Sequence, residues 1–312
     1  GKGRYGLVIE RALDYIACLV TSDGSLTSKQ LAGSKLEGEM FEHALICHAL
    51  AQGLLAGYDK HLPTVQRMID FLCEQQDKEK GGWGWTPNKN ANFCTPTTTY
   101  AIEALCKAEK AGVEILPGTC TLALNWYNNE VSAPVDQHQF IPDEDMTQEE
   151  YDKKITATSS AGWDDRSFFA SNTAMTAYAL TLLGCDRNNT HVISKMNLLK
   201  DYTPDQWSTP GSINKSYPHH YQMYLTRSRE IRDGKAFTKW YEGLCKFLNE
   251  KMEKGGEGHG SWQPQGWDGQ RGGRILATAM TVVTLTTPYG ITAEEMNGAL
   301  YNLPEESEEK DK

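Results

Sequence analysis

The sequence contains no run of about 18 apolar residues, so no helix is expected to cross a membrane. Strand patterning is missing too. No useful stretch alternates apolar and polar residues with the period of two that a half-buried strand needs. Basic residues are the minority: 31 Lys and Arg stand against 41 Asp and Glu, a formal charge of −10. Phosphate backbones and anionic lipid surfaces repel such a body at long range, so no nucleic-acid partner is expected. No C-x-x-C pair exists. The eight cysteines (Cys18, Cys47, Cys73, Cys94, Cys106, Cys120, Cys185 and Cys245) mostly lie in apolar helical patterns. They read as small buried thiols rather than a disulfide framework, which favours a reducing compartment. The first residues, Gly1-Lys2-Gly3-Arg4-Tyr5, include no apolar segment of the signal-peptide type, and the chain reads as a domain of a longer protein.

What is present is enough for a core: 39% of residues are hydrophobic, which excludes wholesale disorder. The acidic excess is partly local, in Asp143-Glu144-Asp145 with Glu149-Glu150 and in Glu305-Glu306-Ser307-Glu308-Glu309. Both read as solvated segments, since the ordered Asp/Asn/Gly spacing of a calcium loop is missing.

Apolar residues recur at helical spacing. Val8, Ala12, Tyr15 and Leu19 share a face, as do Val65, Met68, Ile69 and Leu72, and Phe237, Trp240, Tyr241, Leu244 and Leu248. A second helix type is rich in Thr and Ala: Thr97–Leu105, Asn172–Leu180 and Ala277–Leu285. The two types alternate. Helices are expected over 5–20, 37–56, 62–76, 96–111, 117–130, 170–184, 189–200, 216–230, 234–253 and 273–287. A glycine- or tryptophan-bearing turn follows each odd-numbered helix: Asp23-Gly24-Ser25, Gly81-Gly82-Trp83-Gly84-Trp85, Gly162-Trp163-Asp164-Asp165, Gln206-Trp207 with Gly211-Ser212, and Gly260-Ser261-Trp262. Recurrence of one turn type before a helix argues for a repeated helical hairpin.

One hairpin cannot bury its own apolar face, so neighbours must stack, either onward as a solenoid or round into a ring. Small Thr/Ala-rich helices suit crowded inner positions, and amphipathic helices suit an outer ring facing water. The expected fold is therefore all-α, an α/α toroid of about five to six hairpins. It would span residues 1–290, with 131–168 inserted as a loop and 291–312 an acidic tail.

Glu74-Gln75-Gln76 before Gly81-Gly82-Trp83, and Gly260-Ser261-Trp262 before Gly272-Gly273-Arg274 and Thr278-Ala279, carry a resemblance. So do Phe41-Glu42-His43-Ala44-Leu45 and Gly272-Gly273-Arg274-Ile275-Leu276-Ala277. These segments resemble the prenyltransferase/squalene-cyclase repeat superfamily, closest to its planctomycete-type repeat proteins. The resemblance covers most of the chain outside 131–168 and implies the toroid. That fold carries terpene cyclases, protein prenyltransferases, complement-type thioester domains and plain binding domains, so function has to be read from the residues.

A class II terpene cyclase protonates an alkene with a neutral carboxylic acid, in a family motif Asp-x-Asp-Asp running into Thr-Ala. Here Asn172-Thr173-Ala174-Met175 stands at the matching helix start, and the amide of Asn172 cannot supply the proton. Asp164 and Asp165, just upstream, are the candidate catalytic acids. The plainer reading has them accepting backbone N–H bonds at a helix approach, and Arg166 beside them favours their ionised forms. A protein prenyltransferase holds zinc with a motif that resembles Asp-x-Cys plus a later His. The stretch Gly81–Cys94 tracks it, but Asn92 replaces the aspartate and no His opens the next inner helix, so neither zinc nor another cofactor is expected. The thioester string Gly-Cys-Gly-Glu-Gln is absent.

Candidate ligand-binding residues remain at the rim where turns enter the inner helices: Trp83, Trp85, Trp163, Trp262, Arg274 and the run His219-His220-Tyr221. The tryptophans double as repeat-stacking anchors, and Arg274 as a partner for a turn carboxylate. Adjacent histidines point about 100° apart on a helix and do not share a metal easily. His43 and His48, five apart, read as core or groove residues. The expectation is a non-catalytic binding domain that takes an apolar small molecule, a peptide or a partner domain at the central cavity or aromatic rim. The alternative is a terpene-cyclase-like isomerase using Asp164 or Asp165.

Overall fold

The computed structural model describes residues 5–26, 40–87, 93–128, 169–199 and 218–289. Among them every extended regular element is helical: α1 Gly6–Ala17, α2 Met40–Leu55, α3 Leu62–Gln75, α4 Thr95–Lys110, α5 Thr119–Trp126, α6 Phe169–Leu182, α7 Thr190–Leu198, α8 Pro218–Asp233, α9 Lys235–Lys251 and α10 Gly266–Thr286. Backbone pairing outside them is limited, among the described residues, to two isolated bridges, Val20 with Leu26 and Gly84 with Phe93. The chain is thus all-α, and each expected helix has its counterpart. The one marked difference is α10, which starts at Gly266 rather than near 273. It is interrupted at Gly273 (φ 63°, ψ −162°), so the Thr/Ala-rich part restarts where the sequence places it. No described helix is long and apolar enough to cross a membrane. The expected insertion 131–168 and tail 291–312 lie outside the described residues.

Packing sorts the helices into two rows. In the first, α2 packs on α4, α4 on α6, α6 on α8 and α8 on α10. The others flank it: α1 and α3 lie on α2, α3 and α5 on α4, α7 on α6, and α9 on α8. Sequence pattern explains the sorting. On α3 the buried residues are Val65, Met68, Ile69, Leu72 and Cys73, a single stripe that needs one neighbouring layer. On α4 burial runs unbroken from Thr95 to Leu105, and on α8 from Pro218 to Ser228 but for His220, so these helices are covered on all sides.

Burying polar residues on all sides is tolerable only when their groups are satisfied. Thr226, Thr281 and Thr284 donate their hydroxyls to the carbonyl four residues back in the same helix (to Gln222, Ala277 and Met280 at 2.6, 2.8 and 2.8 Å). Ser228 donates to the Ala174 carbonyl of α6 at 3.1 Å, and the Thr99 and Tyr127 hydroxyls bond at 2.7 Å.

The turns fasten the rows together in a repeated way. The buried Trp83 donates its indole N–H to the Leu72 carbonyl of α3 at 2.8 Å, and its backbone N–H to the Thr98 hydroxyl of α4 at 3.0 Å. Trp262 repeats both bonds, to the Leu248 carbonyl of α9 at 2.7 Å and to the Thr278 hydroxyl of α10 at 3.3 Å. Each tryptophan thereby joins a flanking helix to the next row helix. The turn glycines repeat as well. Gly24 (φ +86°) and Gly81 (φ +89°) lie against the backbone of the next flanking helix, where an added Cβ would come within 2.1 Å of the Arg67 carbonyl oxygen and 2.0 Å of that of Leu122.

Trp83→Ala or Trp262→Ala is expected to cost about 3–5 kcal/mol, the scale of deleting a large buried aromatic side chain. Denaturant unfolding measures it, and an unchanged midpoint would show that the bond pair does not anchor the repeat.

Candidate functional site

The first row is curved. α6 stands between α4 and α8, yet α4 and α8 side chains meet: the Tyr100 and Tyr224 rings are 5.9 Å apart, and Arg227 Nη1 donates to both Glu103 carboxylate oxygens at 3.1 Å. Tyr178 of α6 fills the wedge, 5.6 Å from the Tyr224 ring. The first turns of α2, α4 and α8 meet at one end of this concave face, and their later turns meet at the other, so these helices run the same way.

At the first-turn end the face is aromatic. Trp85, half-buried, stacks on Phe41 of α2 (5.6 Å, 15° between planes), and Phe41 meets Tyr100 edge to face at 4.9 Å. Tyr100 in turn meets the half-buried His220 of α8 at 6.1 Å. Trp83 and Trp85 stand two apart in one turn, yet Trp83 is fully buried in the core while Trp85 lies half-buried against Phe41 on the concave face.

At the other end the face is charged. Glu103 and Arg227 are both nearly fully buried, and the guanidinium lies 5.3 Å and 5.6 Å from the Tyr178 and Tyr224 ring centres. Burial works against the Arg227 charge, but Glu103 and the surrounding tyrosines outweigh it and hold the group protonated. Burial raises the phenol pKa values of Tyr178 and Tyr224, with Arg227 opposing, so both stay neutral. His48 of α2 and Cys106, Lys107, Lys110 and Leu182 join Glu103 and Tyr178 around a cavity of about 10 Å³, room for about one water. Burial lowers the His48 pKa to about 4; Glu103 opposes this, while Arg227 and Lys107 reinforce it. Glu230, one turn beyond Arg227, is pushed up to about 7 by burial, with Arg227 opposing.

The sequence-predicted site residues divide accordingly. Trp85 and His220 come together across Phe41 and Tyr100. Trp83 and Trp262 lie buried in their turns. His219 is buried and accepts the Gln265 backbone N–H at 3.3 Å, tying α8 to the start of α10. Tyr221 is buried. Arg274 donates to the Ser261 hydroxyl at 3.1 Å rather than to a turn carboxylate. Trp163, Asp164 and Asp165 lie outside the described residues, as does Asn92. Cys94 is buried and donates to the Thr97 hydroxyl at 3.0 Å. Among the described residues no group of three His, Cys, Asp or Glu could hold a metal ion, and all eight thiols are free.

Sequence reasoning missed Glu103, Arg227 and the three tyrosines. The signal was a shared register: Tyr100-x-x-Glu103, Tyr178-x-x-Thr181 and Tyr224-x-x-Arg227 stand in consecutive helices of the row. No known family's sequence profile matches the chain, and no curated protein matches it either.

Arg227→Met is expected to destabilise by about 3–5 kcal/mol because it strands the Glu103 carboxylate, while Arg227→Met with Glu103→Leu recovers most of the loss. Denaturant unfolding of the singles and the double variant checks this. Acid titration gives a second test. His43, also lowered to about 4 by burial, and His48 bind protons at about pH 6.5 in the unfolded chain. Their stabilising contribution is complete above 6.5 and is lost as pH falls to 4, for His43 on the order of 3 kcal/mol. Glu230 acts oppositely, losing stability as pH rises from 4.5 to 7. In Glu230→Gln the decline between pH 6.5 and 4 is therefore expected to be steeper than in the unaltered protein.

Proposed function

We propose that the curved double row belongs to an α/α toroid of the terpene-cyclase/prenyltransferase type, and that the chain works as a non-catalytic binding or interaction domain. The hairpin alternation, the two tryptophan anchors and the curvature of the row support the ring form. The observation that carries the function is how the concave face is filled. Tyr100, Tyr178, Tyr224 and the Glu103–Arg227 pair pack side to side there, leaving a cavity of about 10 Å³ beside them. A prenyl chain in a productive fold needs hundreds of Å³. Binding then falls to the half-buried aromatic line of Phe41, Trp85 and His220 at the rim. That chemistry suits an apolar molecule, a peptide with apolar side chains or the matching surface of a partner domain.

Incubation with squalene and shorter polyprenyl compounds, followed by gas chromatography, is expected to return them unchanged. Cyclic products that disappear in Asp164→Asn or Asp165→Asn would overturn the proposal. Native mass spectrometry of freshly purified protein is expected to show a co-purifying apolar molecule or peptide. Its retention should drop about tenfold or more in Trp85→Ala, with little change in melting temperature.

A further inference from the structure

From Ile275 to Thr286 the last row helix, α10, carries no charged residue. One side of this stretch is buried where α10 packs on α8: Ala277, Met280, Thr281 and Thr284. The opposite side is bare. Ile275, Ala279, Val282, Val283 and Thr286 recur at i, i+4, i+7, i+8 and i+11, which is a single helix face. All five are exposed, Ile275 at 86%. The Thr286 hydroxyl turns back onto the Val282 and Val283 carbonyls at 2.9 and 3.1 Å, so it does not depend on water. The exposed side of α9 is of another kind, with Lys239, Glu242, Lys246 and Glu250. In composition α10 is a helix meant to be covered, and it lacks a neighbour on one side.

The chain itself supplies a fitting occupant. Residues 290–312 lie outside the described residues, and their acidic run begins only at Glu305. Before it the sequence predicts a helix over 293–303. Thr292 and Glu295 have the spacing of a capping box, and Ile291 and Met296 that of a hydrophobic staple. Met296, Ala299, Leu300 and Leu303 share one face, and Pro304 follows as a stop. Gly290-Ile291 repeats Gly57-Tyr58, Gly112-Val113 and Gly184-Cys185. Those pairs end α2, α4 and α6 with a positive-φ glycine and a bond from the next N–H to the carbonyl five residues back. In each described hairpin a flanking helix starts within nine residues of the end of its row helix and packs on it. We propose that 293–303 folds back antiparallel on α10, covers its bare side and caps the row. Both helices rise equally per residue, so positions equally far from Tyr289 meet. Val282 then falls opposite Met296, Ala279 opposite Ala299 and Ile275 opposite Leu303. Glu294, Asn297 and Asn302 fall on the far face of the segment, the polar outer surface that an end unit of a stacked repeat needs. A helix this short, with Gly298 inside it, is marginal alone in water and owes its form to the contact. The proposal uses no residue of the concave face, and it stands or falls separately from the reading of that face.

Hydrogen exchange of the whole chain, read by mass spectrometry, tests this. The amides of 294–303 are expected to exchange at least about tenfold slower than in a free peptide of that sequence, since a docked helix exchanges only by local opening. Val282→Asp, at an exposed position, should bring them to within about threefold of the free-peptide rate. Leu300→Asp tests the other partner and lies outside the described core. A cysteine introduced by Ala279→Cys should be alkylated at least about tenfold faster when Leu300→Asp is added, as followed on its own peptide. Light scattering separates a second copy as the occupant: the molar mass of the unaltered chain and of Val282→Asp should be the same. Free-peptide exchange of 294–303 in the unaltered chain, protection that survives Val282→Asp, or alkylation indifferent to Leu300→Asp would overturn the proposal. A dimer that Val282→Asp dissolves would assign the bare side to a second copy and overturn it as well.

Discussion

Water is excluded from every side of α4 and from most of α8, and that constraint shapes the rest of the molecule. A helix in this position has no solvent-facing stripe on which to leave a polar side chain. Each one must be satisfied inside. The threonines turn back onto their own helix, and Ser228 reaches a neighbouring carbonyl. Glu103 and Arg227 close on each other across the width of α6. The pair is of doubtful worth to stability as such, because burying both charges costs about what their attraction returns. What it does fix is relative placement. Two helices that are not neighbours are held at one register and one separation, with aromatic rings stacked on the guanidinium from two helices.

Curvature then decides which chemistry each face of a row helix carries. On the concave side, side chains converge and crowd: Tyr100, Tyr178 and Tyr224 pack on one another, and the cavity beside Glu103 holds about one water. On the flanking side, a much larger space opens beside Met40, His43 and Phe71. The larger of these two spaces thus lies between the rows rather than on the concave side.

Most of the architecture was legible in the sequence because helical period and turn type are local. The stripe Val65, Met68, Ile69, Leu72 names both the helix and its buried face, and Gly272-Gly273 marks where α10 must break. The charged end of the concave face was not legible. Glu103 and Arg227 lie 124 residues apart, and nothing in either segment alone says that they touch. Their register with the tyrosines was visible but has meaning only once the row is known to be curved. Trp83 and Trp85 show a different limit. They are the same residue in the same turn, and nothing in their spacing of two says that one is buried in the core and the other half-buried against Phe41. Asp164, Asp165 and Trp163 lie outside the described residues.

Gly24 and Gly81 bear on evolution more than on stability. Each lets one hairpin rest on the next through bare main chain, with no side chain as a spacer. The distance from one repeat to the next is then set by van der Waals contact of main chain on main chain. Helix faces are free to drift in composition while the pitch of the row, and hence its radius, stays constant. A chain built this way can diverge until its sequence no longer resembles that of its kin and still keep the same curve.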